Sequence, residues 1–491
     1  MTPSPRASRD AAVAPAAQNR PRGRLLTRPV IAWGLWDWGS SAFNAVITTF
    51  VFTVYLTGSS FGDKTDNQSA LSLGLTVAGV LIALLAPVTG QRADRAGRTV
   101  FWLGAYTAVV VGVSAALFLV RPEPRFLWLG IILLGVGNVF FELASVNYNG
   151  LLSGLTTKDR VGAVSGLGWG MGYLGGIVLL LILFVGFINP EVGWFGVTSE
   201  DGLNVRVAML ISAAWFGLFA LPVLITQSGA GARRRRRALA AEAERDRDLE
   251  RGRAELEDEP PSDVEPGAGI IREESLWASY KRLWRTLVAL QRSHPEVLWF
   301  LLAAAVFRDG LAGVFTYGGI IAQATFGFSS GDVIIFAIAA NVVAGVATIA
   351  SGRLDDRIGP RRVILGALTI LVVAGVAVFL LHDGGPTVFW VLGLALSGCV
   401  GPAQSAARSF LARLTPEGRE GEIFGLYATT GRAVSFMAPA MYGVLIALGR
   451  QVVGDGAGYW GILGIVAVLL MGLLLMLKVQ DPAGHITDLG D

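Results

Sequence analysis

Polar residues are sparse along most of this chain, and they come in short bunches that separate long apolar runs. The stretches 70–87, 126–139 and 460–477 hold no charged residue at all. A helix that crosses a bilayer needs about 20 apolar residues, so runs of this kind predict membrane-spanning helices. Reading from one charged break to the next predicts twelve of them, near 30–56, 69–89, 99–120, 126–152, 162–188, 206–227, 296–323, 331–351, 362–382, 386–411, 421–449 and 457–478. The pattern is that of an all-α membrane protein with twelve transmembrane helices.

Composition agrees. Of 491 residues, 53% are hydrophobic and 16% charged, with a mean hydropathy of +0.56. A soluble domain would carry roughly a quarter charged residues. Lys and Arg concentrate in the short loops at 90–100, 156–161, 352–362 and 412–421. Basic loops stay on the cytoplasmic side of an inner (cell) membrane, which puts both termini in the cytoplasm. The single cysteine, Cys399, excludes an internal disulfide. His294, His382 and His485 lie far apart, so no metal and no cofactor is expected. With no nucleophile–base pair in view, enzymatic activity is not expected either, nor is a nucleic-acid partner.

Five segments follow: a tail (1–28), a six-helix bundle (29–227), a linker (228–295), a second bundle (296–479) and a closing tail (480–491). The linker opens on five arginines, 233–237, a topology signal or a binding site for anionic lipids. Farther on, Leu276, Trp277, Tyr280, Leu283, Trp284, Leu287 and Val288 recur at helical spacing among basic residues. That spacing predicts an amphipathic helix lying on the membrane surface.

The two bundles repeat one another. "GQRADRAGR" starts at Gly90 and "GRLDDRIGPRR" at Gly352, while "LLSGLTTKDRVGAVSGL" (151–167) aligns with "FLARLTPEGREGEIFGL" (410–426). Leu155/Leu414, Thr156/Thr415, Arg160/Arg419 and Gly162/Gly421 are identical pairs. Two six-helix halves in parallel repeat are a layout found in secondary transporters. One motif misleads: "GMGYLG" (170–175) matches a dinucleotide-binding fingerprint, but it lies within a membrane helix with no preceding strand, where small residues serve close packing.

The Gly-x-x-x-Asp-Arg-x-Gly pattern, present in both halves, resembles the signature loop of the major facilitator superfamily. Thr99 and Pro360 depart slightly from it. The resemblance implies the major facilitator fold, two pseudo-symmetric halves, and a conformational gate formed by Asp94, Arg95 and Arg98 with Asp356 and Arg357 as counterparts. "WGLWDWGSSAFNAVI" (33–47), "NYNGLL" (147–152), "GWGMGYLGG" (168–176), "FRDG" (307–310), "AQSAARSFLARLTP" (403–416) and "FGLYATTGRAVSF" (424–436) are similar to a narrower branch. That branch contains the fungal vacuolar amino-acid effluxers of autophagy and their bacterial relatives.

Asp37, Glu142, Arg308, Asp309, Arg408 and Arg432 fall well within predicted spans. A charge at the centre of a span costs about 2.5–3.5 kcal/mol on insertion scales, so each needs a partner or water. Asp37, Ser41, Asn44 and Thr48 share the spacing of one helix face, as do Asn138, Glu142, Ser145 and Asn149 in the fourth span. Ser397, Gln404 and Arg408, and Asp309, Thr316 and Gln323, form similar stripes in the tenth and seventh. The resemblance implies that these four helices line the central cavity. Asp37, Asn44, Glu142, Asn149, Asp309, Gln404, Arg408 and Arg432 are therefore the candidate substrate-binding residues. Glu142 and Asp37 are candidates for proton coupling. Structural ion pairing is the alternative for the charged ones, and Arg408 stands near enough to the helix end to snorkel. Arg308 and Asp309 point about 100° apart, and at least one should make an inter-helix pair. Trp33, Trp36, Trp38 and Trp169 read as packing residues. The expected function is secondary transport of a small solute, neutral amino acids first, outward and with protons, by a monomer among membrane lipids. Export of drugs or other metabolites, and a non-transporting scaffold or receptor, are the alternatives.

Overall fold

The computed structural model describes residues 25–228, 295–415 and 418–480, together with Lys281 and Arg285. The arginine run, the amphipathic linker segment and most of both tails lie outside the described residues.

Among the described residues, twelve helices are long and apolar enough to cross a membrane. They are α1 Arg28–Leu56, α2 Asp66–Arg95, α3 Thr99–Leu119, α4 Pro124–Leu155, α5 Lys158–Ile188 and α6 Glu200–Gln227, then α7 Pro295–Ala324, α8 Asp332–Ile358, α9 Pro360–Leu380, α10 Gly385–Leu414, α11 Glu420–Val453 and α12 Gly456–Lys478. Their outer faces carry exposed leucines, valines and isoleucines, as lipid-facing surfaces do. Inside, small residues bring backbones together, because lipid leaves van der Waals packing and inter-helix bonds as the main glue.

Two helices are interrupted beside the space between the halves. α1 is regular over Arg28–Ser41, widens to π-type turns over Ala42–Phe50 and resumes at Phe52–Leu56. α11 runs as Glu420–Val434 and Met437–Val453, with Ser435 and Phe436 at the break. Asp309 on α7 explains how the break is tolerated: its buried carboxylate accepts the Ala438 N–H at 2.6 Å. A carboxylate at a helix N-terminus satisfies an orphan donor and meets the positive end of the dipole.

Both signature loops, and the helix ends that carry the tails, lie at one end of the bundle, here the tail end. There the halves meet through α2 with α11 and α5 with α8, and the meetings repeat one geometry. The Asp94 carboxylate accepts backbone N–H groups of Gly421 and Glu422 at the start of α11. Asp356 accepts those of Gly162 and Ala163 at the start of α5, at 2.8 and 2.9 Å. Each aspartate thus caps a helix of the opposite half. Glycine permits the approach: a β-carbon on Gly90 would lie 2.1 Å from the Gly421 carbonyl oxygen, and one on Gly352 would lie 2.6 Å from that of Gly162.

Candidate functional site

Beside these latches, on α10, the Arg408 guanidinium is buried (4% exposed) and bonds to the first half. Its Nη1 donates to Asp37 Oδ2 at 3.2 Å and to Asn149 Oδ1 at 3.3 Å. Nη2 donates to the Ser165 carbonyl at 2.7 Å and Nε to the Ser165 hydroxyl at 3.0 Å. Trp33 and Trp169 lie against its faces, 4.7 and 5.5 Å from the guanidinium carbon. Arg408 therefore does not snorkel; its guanidinium is bonded to and stacked against protein groups. Asp37 is held in turn by the Tyr148 hydroxyl at 2.8 Å, and Tyr148 is stacked between Trp33 and Trp36.

About 18 Å into α11, at 1.5 Å per residue, Arg432 donates to Glu142 Oε1 on α4 at 2.5 Å. This pair is more open, with side chains 34% and 25% exposed. At similar depth the Tyr173 hydroxyl of α5 donates to Gln404 Oε1 of α10 at 3.0 Å. The internal repeat relates these two ties. Tyr173 and Arg432 are equivalent positions at the 259-residue offset of Gly162 and Gly421. Gln404 stands one turn from Gly401, the equivalent of Glu142. One tie is ionic and its counterpart is neutral.

Beyond this layer, Asn44, Thr49, Thr316, Gln323 and Ser435 are exposed. Polar side chains exposed within apolar spans suit a watery space beyond this layer, while the latches close the interior at the tail end. A cleft of about 130 Å³ at Arg432 is lined by the polar Thr48, Thr53 and Asn138 and by Leu75, Ala78, Gly79, Ile82 and Leu134.

Of the residues expected from sequence, the structure brings Asp37, Asn149 and Arg408 into one network, and Glu142 and Arg432 into a second. Asn44 is separated from Asp37 because the wide turns begin at Ala42 and break the single face that a regular helix would give. Asp309 is turned to the α11 break, and Arg308 likewise reaches α11, lying 4.1 Å from the Tyr427 ring centre. Arg95, Arg98 and Arg357 lie exposed beside the latches. Sequence reasoning passed over Arg413, which joins Asp355 and Asp356 at 2.8 Å each. It also passed over Glu422, which accepts from Gln91 at 3.1 Å. Among the described residues no cluster of His, Cys, Asp and Glu suits a metal ion.

Twelve spans in two repeated halves, paired signature loops and a polar interior closed at one end define a secondary transporter of the major facilitator type. More narrowly, residues 53–484 match the family described as Vacuole effluxer Atg22 like, and the chain belongs to it. It is 24% identical over 466 residues, covering 93% of this chain and 96% of the other, to an uncharacterized MFS-type transporter, YxiO, of Bacillus subtilis. Autophagy-related protein 22 of Cryptococcus neoformans is 24% identical over 362 residues, covering 70% of this chain but 53% of the fungal protein. Among solved structures, the proton:xylose symporter XylE superposes with a TM-score of 0.65 at 14% identity, covering 92% of this chain and 96% of that one. The transporter FucP in its outward conformation superposes with 0.61 at 13% identity, covering 93% and 98%. At such identity these likenesses speak for the fold.

Proposed function

We propose that the protein exports small zwitterions, neutral amino acids first, by alternating access coupled to protons, with the tail end in the cytoplasm. The observation that carries this reading is the Glu142–Arg432 pair, whose opposite charges come from opposite halves at the base of the cavity. A zwitterion entering between them offers a carboxylate to Arg432 and an ammonium to Glu142, so it replaces the tie rather than merely breaking it. A simple cation would leave the arginine unmatched, and a simple anion the glutamate. Release of the tie frees the halves to rock, and a proton on Glu142 does the same in the absence of substrate. The outward direction rests on the family description, an effluxer. The orientation rests on the basic residues at the tail end.

Arg432→Lys tests the pairing. The planar guanidinium binds a carboxylate through two parallel bonds, which an ammonium does not reproduce. Amino-acid binding should weaken by about 1–2 kcal/mol, roughly 5- to 30-fold, with the fold intact by thermal unfolding. Removing the carboxylate from the ligand should cost the wild type more than the variant. An amine analogue that binds both proteins as tightly as its parent amino acid contradicts this role for Arg432.

A second reading, export of apolar compounds, is favoured by one observation. A cavity of about 150 Å³ is lined mainly by Phe315, Phe336, Phe389 and aliphatic side chains of the second half, with Phe50 of α1 at its edge.

A further inference from the structure

The cleft beside Arg432 is lined by polar groups of α1, α4 and α11 and by an apolar strip of α2, and its chemistry can be worked out donor by donor. On the polar side, Arg432 has committed one N–H to Glu142 and is 34% exposed, so other donors remain for a ligand. Asn138 gives its amide N–H to the Leu134 carbonyl at 3.1 Å, which leaves its carbonyl oxygen to accept. Thr48 gives its hydroxyl proton to the Asn44 carbonyl at 2.8 Å, which likewise leaves an acceptor. The polar wall thus offers a cationic donor and several acceptors. It suits a carboxylate and an ammonium held a bond or two apart.

The apolar part of the lining is Leu75, Ala78, Gly79 and Ile82 of α2, with Leu134 of α4 one turn from Asn138. Gly79 is unusual among them. A β-carbon built there would have no atom within 4 Å, whereas one at Gly74, five residues earlier on the same helix, would strike Ile131 at 2.3 Å. Gly74 is glycine because another helix packs on it. Gly79 has no such reason, and glycine in a helix interior costs about 1 kcal/mol relative to alanine. What its missing side chain leaves is room in the cleft. The volume, about 130 Å³, is close to that of the roughly 150 Å³ apolar cavity that holds benzene.

We infer that this cleft seats the substrate's side chain and that Gly79 sets its upper size limit, so that Gly79 is a specificity-determining residue. The inference rests on the zwitterion reading above and adds the compartment and the residue that gauges the side chain.

The test is competition binding to the full-length protein in nanodiscs with alanine, leucine and phenylalanine, comparing wild type, Gly79→Ala and Gly79→Leu. Val77→Leu, on an exposed face of the same helix, serves as control. Because open space surrounds the site, the variants should unfold at or above the wild-type temperature. Gly79→Leu should leave alanine within about twofold and weaken leucine and phenylalanine by about tenfold or more, the scale of one methylene in a closed pocket. Gly79→Ala should fall between, and Val77→Leu should match wild type. Equal weakening of all three ligands, or no weakening, overturns the role of Gly79 while leaving the zwitterion reading in place. Failure of the wild type to bind any of the three overturns that reading, and this inference with it. Should Gly79→Leu not fold, the graded effect of Gly79→Ala on phenylalanine against alanine decides the matter.

Discussion

Arg408 and Asp37 show why a chain would bury charges at all. Arg408 is satisfied by two carbonyl-type oxygens, a hydroxyl and one carboxylate, and among the described residues Asp37 has one other side-chain partner, Tyr148. Removing one member of a buried pair strands the other at about 3–5 kcal/mol, whereas removing both is often nearly neutral. Asp37→Asn should therefore lower the thermal stability of the purified protein markedly, and Asp37→Asn with Arg408→Gln should recover most of the loss. A double variant as unstable as the sum of the singles would show that the two residues do not act as a unit. The charges themselves were legible in the sequence, because an ionisable residue in an apolar run stands out. Their partners were legible only in part. Spacing along one helix cannot say that Arg408 reaches across 371 positions to Asp37, nor that Asp309 turns to a helix break. The break at Ser435 does have a signal, Pro439, which lacks the N–H that would bond the Ser435 carbonyl four residues back, yet the unbroken apolar pattern reads as a single helix over 421–449.

The latches belong to the scale of helices. Each consists of a carboxylate on one half capping a helix of the other, with a glycine beneath that lets backbones touch. The repeated loops predicted both, since their glycines and aspartates recur in register. The difference between them was hidden. Asp355 and Arg413 brace the second latch, while the equivalent positions in the first half are Ala93 and Gly154. The first latch draws instead on Gln91, Glu420 and Glu422. Asp94→Asn removes a charge–dipole interaction worth about 1 kcal/mol, so it should shift the population about fivefold away from the tail-closed state and lower transport while expression stays near normal. Cysteine accessibility from both membrane sides reads the shift; an unchanged pattern with full transport would sink the idea. Gly90→Val should act more strongly, because its side chain would meet the Gly421 backbone rather than a movable side chain.

At the scale of the whole molecule, the halves are tied from the tail end to mid-depth, as alternating access requires of one of its end states. Fold, span count and repeat were readable from hydropathy and two motifs, because a bilayer leaves few ways to satisfy a backbone. The occupant of the cavity was not, because substrate choice depends on a few donors whose meeting is a tertiary event. If Glu142 carries the coupling proton, Glu142→Gln should keep exchange of substrate across the membrane and lose accumulation driven by a proton gradient. Wild-type transport indifferent to pH and to uncouplers would contradict that role. The most direct test of the whole account is counterflow in proteoliposomes holding only this protein. Vesicles loaded with unlabelled neutral amino acid should take up the labelled form transiently above equilibrium, and a variant lacking both Glu142 and Arg432 side chains should not. Labelled amino acid that never exceeds its level in protein-free vesicles would contradict the account.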